Sequence, residues 1–233
     1  MNGSLTVIFP IFNEEEVIAK VISNCITFCR NNIDDFEVIA VNDGSVDSTR
    51  ELLYEQQQAY PDLRIINHDR NKGYGCAIRS GIDCAQKEWT LVMDADAQFQ
   101  IGDLEIFWMK RHDYDFMLGY RRLRQDNLYR KILGKTGNSL SNIFLQKKIK
   151  DINCGFKIFK THLIQEMELK AKGGAIHFEI IYNILKKGQM QFTQIPIVHH
   201  MRRTGKSSGG RTGVVVNIIL EGLAVICRRP FLH

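Results

Sequence analysis

The sequence predicts an α/β protein with a mostly parallel central sheet and helices on both faces. Short apolar runs alternate with segments of helical periodicity, and several of those runs end in polar clusters. A chain of 233 residues with 44% hydrophobic content also suffices for one large packed core.

Taken in order, "LTVIFPIF" (residues 5–12) reads as the first strand. Residues 14–30 follow as a helix, with Val17, Val21, Cys25 and Phe28 at helical spacing. "FEVIAV" (36–41) is the second strand, and "DGSVDST" (43–49) is a turn whose Ser and Asp side chains can cap a helix over Thr49–Ala59. "LRIINH" (63–68) is a third strand, residues 74–86 a third helix, and "WTLVMDAD" (89–96) a fourth strand. Later helical patterns cover 127–149, the region around Glu179, and 214–226, while "IPIV" (195–198) is strand-like. No repeat, low-complexity tract or linker interrupts the chain. We divide it into a domain over 1–211 and a C-terminal amphipathic helix and tail over 212–233.

In sheets of this kind ligands bind outside the carboxyl ends of the strands, and "PIFNEE", "VNDGS" and "DADAQ" all fall there. Side chains two apart on a strand share a face, so Asp94 and Asp96 are expected to point the same way. Two like charges held together call for a cation, and hard divalent ions take carboxylate oxygens and bridge to substrate phosphates. A solvated Asp-rich turn is the competing reading of these residues alone.

Charge is divided unevenly. Residues 1–109 hold 8 Lys and Arg against 18 Asp and Glu, whereas residues 110–150 hold 11 against 3 and residues 199–233 hold 6 against 1. Clustered positive charge suits phosphates or an anionic membrane surface. Neither zinc-finger spacing nor RNP-like aromatics appear, so nucleic acid is not an expected partner. The six cysteines are scattered without metal or disulfide spacing, which suggests reduced, mostly buried thiols in a cytosolic protein. No signal peptide is expected, and no segment offers the roughly 18 uninterrupted apolar residues of a membrane span. "NKGYGCAIRSG" has Ile78 where a dinucleotide fingerprint needs its third glycine, and neither "GKT" nor "GKS" completes a P-loop.

Together, "VIFPIFNEEEVI", "VNDGSVDST", "NKGYGCAIRSGI", "DADAQF", "GYRRLRQDNLYRK", "KDINCGFKIFK", "FEIIYNILKKG" and "HHMRRTGKSSGG" resemble the inverting A-fold glycosyltransferases of family 2. The likeness is to the polyprenyl-phosphate glycosyltransferases related to dolichyl-phosphate mannose synthase, and the motifs keep that family's order over residues 5–210. The resemblance implies that Pro10, Phe12, Glu14, Asn42 and Asp43 lie against the nucleotide, with Asn42 departing from the family's first acid. It implies a cluster of Asp94, Ala95, Asp96 and Gln98 at the diphosphate, with Asp94, Asp96 and Gln98 as ligands of Mg²⁺ or Mn²⁺. It gives Arg121 and Arg130 to the acceptor phosphate, and Arg202, Arg203 and Lys206 to a basic loop near both phosphates. Helix-dipole complementation for Glu14, helix capping for Asp43 and plain surface charge for the arginines are the alternatives. His199 and His200 read as strand-end residues, Cys154 as packed, and Glu179 as half of a structural ion pair.

The function implied is inverting transfer of a sugar from a nucleotide-diphosphate sugar to a polyprenyl phosphate. A phosphate acceptor needs no general base, because its oxygen is already anionic. The family's usual E-D pair is not found, and Asp151 is the one stand-in. A hydroxyl-acceptor transferase and a silent nucleotide-sugar-binding module are the alternatives. Basic amphipathic patterns over 127–149 and 214–226 suggest a peripheral protein on the cytoplasmic face of a membrane, or contacts with a second copy or an anchoring partner.

Overall fold

The computed structural model describes residues 3–122, 128–201 and 212–228, with backbone only at 128–135, 212–217, 219 and 228. The chain opens with β1 (Ser4–Ile11), α1 (Ile18–Asn32), β2 (Asp35–Asn42), α2 (Thr49–Ala59), β3 (Leu63–Asn67), α3 (Tyr74–Cys84) and β4 (Trp89–Met93). A 3₁₀ turn leads into α4 (Leu104–Lys110), and then come β5 (Phe116–Arg121), α5 (Leu128–Leu145), β6 (Phe156–Lys160) and α6 (Thr161–Gln165). The chain continues through α7 (Ile176–Lys186), β7 (Phe192–Ile197) and α8 (Thr212–Arg228).

The strands form one sheet in the order β3-β2-β1-β4-β6-β5-β7. All its pairings are parallel except those of β6, which runs antiparallel to both β4 and β5. Neither β5 nor the reversed strand β6 was announced by the alternation of elements.

Central parallel strands are covered on both faces and therefore read as continuous apolar runs. In β1, Leu5, Val7, Phe9 and Ile11 enter a core shared with Ile18, Val21, Ile22, Cys25 and Ile26 of α1 and Phe107 and Trp108 of α4. Ile8 points to the opposite core, with Ala77 and Ile78 of α3, Ile164 of α6 and Ile180 and Ile184 of α7. Helices thus cover both faces, as expected.

Among the boundaries that differ from expectation, three lie in the first half of the chain near the rim. The first helix begins at Ile18 instead of residue 14, because residues 15–17 form turns whose last N–H, on Val17, bonds the Glu14 carbonyl. The third helix stops at Cys84, and the fourth strand ends at Met93, before the aspartates. Ser48, at the N-cap of α2, makes no side-chain capping bond, and Asp47 one residue earlier accepts the Thr49 N–H through Oδ1 at 3.1 Å.

Glu221, which interrupts the apolar run of α8, accepts backbone N–H groups of Lys172 (3.2 Å) and Gly173 (3.0 Å). With Val225 buried in the second core, this carboxylate fixes α8 against the segment before α7. Among the described residues no helix is long and apolar enough to cross a membrane.

Candidate active site

Strands β1, β2 and β4 are parallel neighbours, so their carboxyl ends share one rim. From β1 the sheet grows through β2 and β3 on one side and through β4 on the other, which makes this rim a topological switch point. The sequence-expected clusters meet there.

Loops after β1 and β2 are laced together. Pro10 is still in register with Val41, and Phe12 beyond it is exposed. Asn13, at φ +55°, accepts the Val46 N–H through Oδ1 (2.9 Å), and its own N–H donates to Ser45 Oγ (2.9 Å). The Glu14 N–H donates to Thr49 Oγ1 at 2.9 Å. Asn42 accepts the Ser45 N–H (3.0 Å) and donates to Asn67 Oδ1 (2.9 Å). An aspartate could not make the second bond, so the departure from the family pattern is a framework contact here.

Asp43 is buried, and it does not cap α2. Its Oδ2 accepts the Gly73 N–H (2.8 Å), and its Oδ1 accepts the Lys72 N–H (2.9 Å) and meets His68 Nδ1 (2.6 Å). It therefore holds the entry to α3. Gly44, at φ +69°, lies so close to the backbone of Arg70 and Asn71 that a Cβ would overlap it.

The aspartate pair lies just past β4. The Asp94 N–H donates to the Gly155 carbonyl (3.0 Å), and Asp94 Oδ1 accepts the Tyr74 hydroxyl at 2.5 Å. A Cβ on Gly155 would overlap the Asp94 carboxylate, so the glycine makes room for it. Met93 and Ala95 both enter the first core, which leaves Asp94 between them directed away from it. Asp96 Oδ1 accepts the Gln98 N–H at 3.1 Å within a turn that places Ala97 at φ +60°. The aspartates thus lie in a loop beyond the strand, and not on its pleat as the shared-face expectation required. Both still act on Tyr74: burial, then Asp94, then Asp96 raise its phenol pKa well above the usual range.

Gln98 Nε2 donates to the His200 carbonyl (3.0 Å), and the His200 N–H returns to the Gln98 carbonyl (2.9 Å). In this orientation Oε1 is the acceptor atom of the Gln98 side chain. The same pairing fixes residue 200 against the turn, two positions before Arg202. Arg202, Arg203 and Lys206 lie outside the described residues, as does the side chain of Arg130 on α5.

The guanidinium of Arg121 grips both oxygens of Asp151 along one edge, Nε to Oδ2 at 2.7 Å and Nη2 to Oδ1 at 2.8 Å, with side chains 13% and 11% exposed. The fork expected for a phosphate is thus held by a protein carboxylate. Nearby Lys157 is 1% exposed and contacts the Cys154 carbonyl. Burial lowers its pKa to about 8 against the opposing pull of Cys154, Asp151 and Asp94. Cys154 is packed as expected, its thiol pushed up to about 12 by burial. His199 packs edge-on against Phe99, consistent with a strand-end role. Among the described residues Glu179 shows no ion pair of the expected kind; it accepts the N–H groups of Lys170 and Ala171.

Tyr74, Gly155, Lys157 and His177 were not singled out from the sequence. Tyr74 stood inside a motif read only for its glycines, and "GFKIFK" signals a strand without revealing that Lys157 is buried on it.

A family model described as glycosyl transferase family 2 matches residues 6–169. The chain belongs to that family. Curated members similar to it include the dodecaprenyl-phosphate galacturonate synthase of Rhizobium johnstonii, 28% identical over 95% of this chain and 66% of the relative. The undecaprenyl-phosphate 4-deoxy-4-formamido-L-arabinose transferase of Pectobacterium atrosepticum is 28% identical over 88% and 62%. The dolichyl-phosphate beta-glucosyltransferase of Trichomonas vaginalis is 31% identical over 65% and 52%. The chain therefore spans between half and two thirds of these relatives' lengths. Among solved structures, glucosyl-3-phosphoglycerate synthase of Mycobacterium tuberculosis, in complex with Mn²⁺, uridine diphosphate and phosphoglyceric acid, superposes with a TM-score of 0.76. At 14% identity it covers 99% of this chain and 81% of its own, which establishes the shared fold of this family 2 chain.

Proposed function

We propose that this family 2 chain transfers one sugar, with inversion, from a nucleotide-diphosphate sugar to a polyprenyl phosphate. The observation that carries the choice of acceptor is the Arg121–Asp151 pair. Asp151, the carboxylate that the sequence offered as a base, is neutralised by a bidentate partner. A hydroxyl acceptor needs a free base, and a phosphate oxygen does not. The three relatives, each named for a polyprenyl or dolichyl phosphate, support the same reading.

On this reading the donor lies over the rim between the β1 and β2 loops and the Asp94–Gln98 turn. Asp94, Asp96 and Gln98 Oε1 are hard oxygen donors, and among the described residues no group of three or more His, Cys, Asp or Glu forms a closed metal cage. Such a set suits Mg²⁺ or Mn²⁺, which bind through one or two carboxylates and complete their shell with substrate phosphate. A bound ion would supply charge neutralisation to the departing diphosphate. The chain's own residues bind and align: one acceptor-phosphate oxygen forms a bond to the anomeric carbon as the bond to the diphosphate breaks, and no proton moves. Arg121, Arg130, Arg202, Arg203 and Lys206 are assigned to screening the repulsion between the phosphates. Incubation with labelled nucleotide sugars and undecaprenyl or dolichyl phosphate is expected to give a mild-acid-labile lipid product. Label appearing only in aqueous glycan would overturn the choice of acceptor.

A polyprenyl tail stays in the bilayer, so the reading also makes this a peripheral membrane protein. Leu140 and Ile143 of α5 and Leu220 and Leu223 of α8 are exposed, and an apolar groove runs between the two helices. Exposed Lys147 and Lys148 follow α5. Each basic residue near an acidic leaflet adds about 1 kcal/mol of attraction. Flotation with anionic vesicles is expected at low salt and is weakened at high salt. Protein remaining at the bottom at both salts would point to contacts with a second copy or a separate anchoring subunit.

A further inference from the structure

Asp94 is held by groups that the transfer reading does not use. Its Oδ1 accepts the Tyr74 hydroxyl at 2.5 Å, the short range of charge-assisted O–H···O⁻ bonds. The same phenol oxygen lies 3.0 Å from His177 Nε2. Tyrosine has one hydroxyl hydrogen, and an ionised carboxylate can only accept, so that hydrogen goes to Asp94. His177 Nε2 must then carry the hydrogen that points at Tyr74. Hydrogen bonds so chained polarise one another, and the bond to Asp94 is strengthened.

The chain is rigidly mounted. His177 is 4% exposed in the first turn of α7, with its ring edge-on to Tyr74 at 5.5 Å. Tyr74 is the first residue of α3, whose entry is tied by Gly73 to Asp43 and by the Gly75 N–H to the Lys172 carbonyl at 2.7 Å. Burial holds His177 well below its usual pKa, as do the Lys157 and Arg121 charges, so it stays a neutral donor. Gly155 closes the other side of the carboxylate.

We propose that Tyr74 and His177 are positioning residues of the donor site: the relay from His177 Nε2–H through Tyr74 Oη–H to Asp94 Oδ1 locks one orientation of the Asp94 carboxylate beside the Asp96 turn, where a cation and diphosphate would be held. This rests on the transfer reading for its chemistry. Outer groups that orient metal-binding carboxylates typically change metal affinity or activity by about 10- to 100-fold when removed.

The test compares Tyr74→Phe, His177→Gln and His177→Leu by three readouts: kcat, Tm, and affinity for Mn²⁺ alone followed by the EPR signal of the free ion. Tyr74→Phe is expected to lower both kcat and Mn²⁺ affinity by about 10-fold or more, with Tm within a few degrees of wild type. His177→Gln retains an N–H donor and is expected to stay near wild type, while His177→Leu follows Tyr74→Phe. Should Tyr74→Phe fail to fold, the contrast between the two His177 variants decides. Wild-type kcat and Mn²⁺ affinity in Tyr74→Phe would overturn the proposal, as would equal behaviour of Gln and Leu at 177, or a wild type that binds no Mn²⁺. The Mn²⁺ titration needs no acceptor, so it reads the relay even where polyprenyl phosphate proves not to be the substrate.

Discussion

Asp96→Asn is expected to reduce sugar transfer by about 100- to 1,000-fold while leaving the fold in place, the scale seen when one group stabilising developing charge is lost. Asp96 is partly exposed, and its Oδ1 accepts a local bond from the Gln98 N–H, which an asparagine oxygen also accepts. Packing should therefore not change, and Tm is expected to stay within about 2 °C. The loss falls on the charge facing the donor diphosphate, since a neutral amide is a much weaker partner for a hard cation. Wild-type activity should fall in chelator and return with Mg²⁺ or Mn²⁺. An Asp96→Asn variant with normal kcat in chelator-treated buffer would remove both the ion and this carboxylate from the reaction.

Arg121→Ala is expected to behave quite differently, losing stability along with activity. The pair with Asp151 is nearly buried, and removing one partner of such a pair costs about 3–5 kcal/mol because a desolvated charge is left behind. For a chain of this size that lowers Tm by roughly 10 °C. Replacing both, Arg121→Met with Asp151→Leu, should recover much of the loss, since a well-packed apolar pair removes the desolvation penalty. Thermal unfolding of the three variants gives the answer. Tm unchanged in Arg121→Ala, with only acceptor use impaired, would show that the guanidinium serves the phosphate, as the family resemblance implied, and has no framework role.

Much of this architecture was legible because it is written in local patterns. Buried parallel strands must be apolar on both faces, so "LTVIFPIF" and "FEVIAV" announce themselves, and the periodicity of α1, α2 and α3 follows from one buried face each. Polar clusters at the ends of β1, β2 and β4 pointed to the rim because strand order constrains where ligands can sit. The aspartate pair was visible for the same reason, although the strand ends at Met93, and Ala97 at positive φ completes the turn.

What the chain could not disclose by itself are contacts between residues far apart in sequence. The reversed direction of β6 brings Gly155 and Lys157 alongside the end of β4, and no local period encodes strand direction. Asp151 lies 30 residues from Arg121, and His177 lies 103 from Tyr74. A histidine, a tyrosine and a lysine look the same in a sequence whether they face water or one another. Only folding decides, because burial removes the water that would otherwise satisfy each group and obliges it to find a partner in the protein. The sequence alone therefore determined strands β1 to β4, the rim and its acids; the tertiary structure decided how the sheet is completed, which neighbours hold those acids and which charges are already matched.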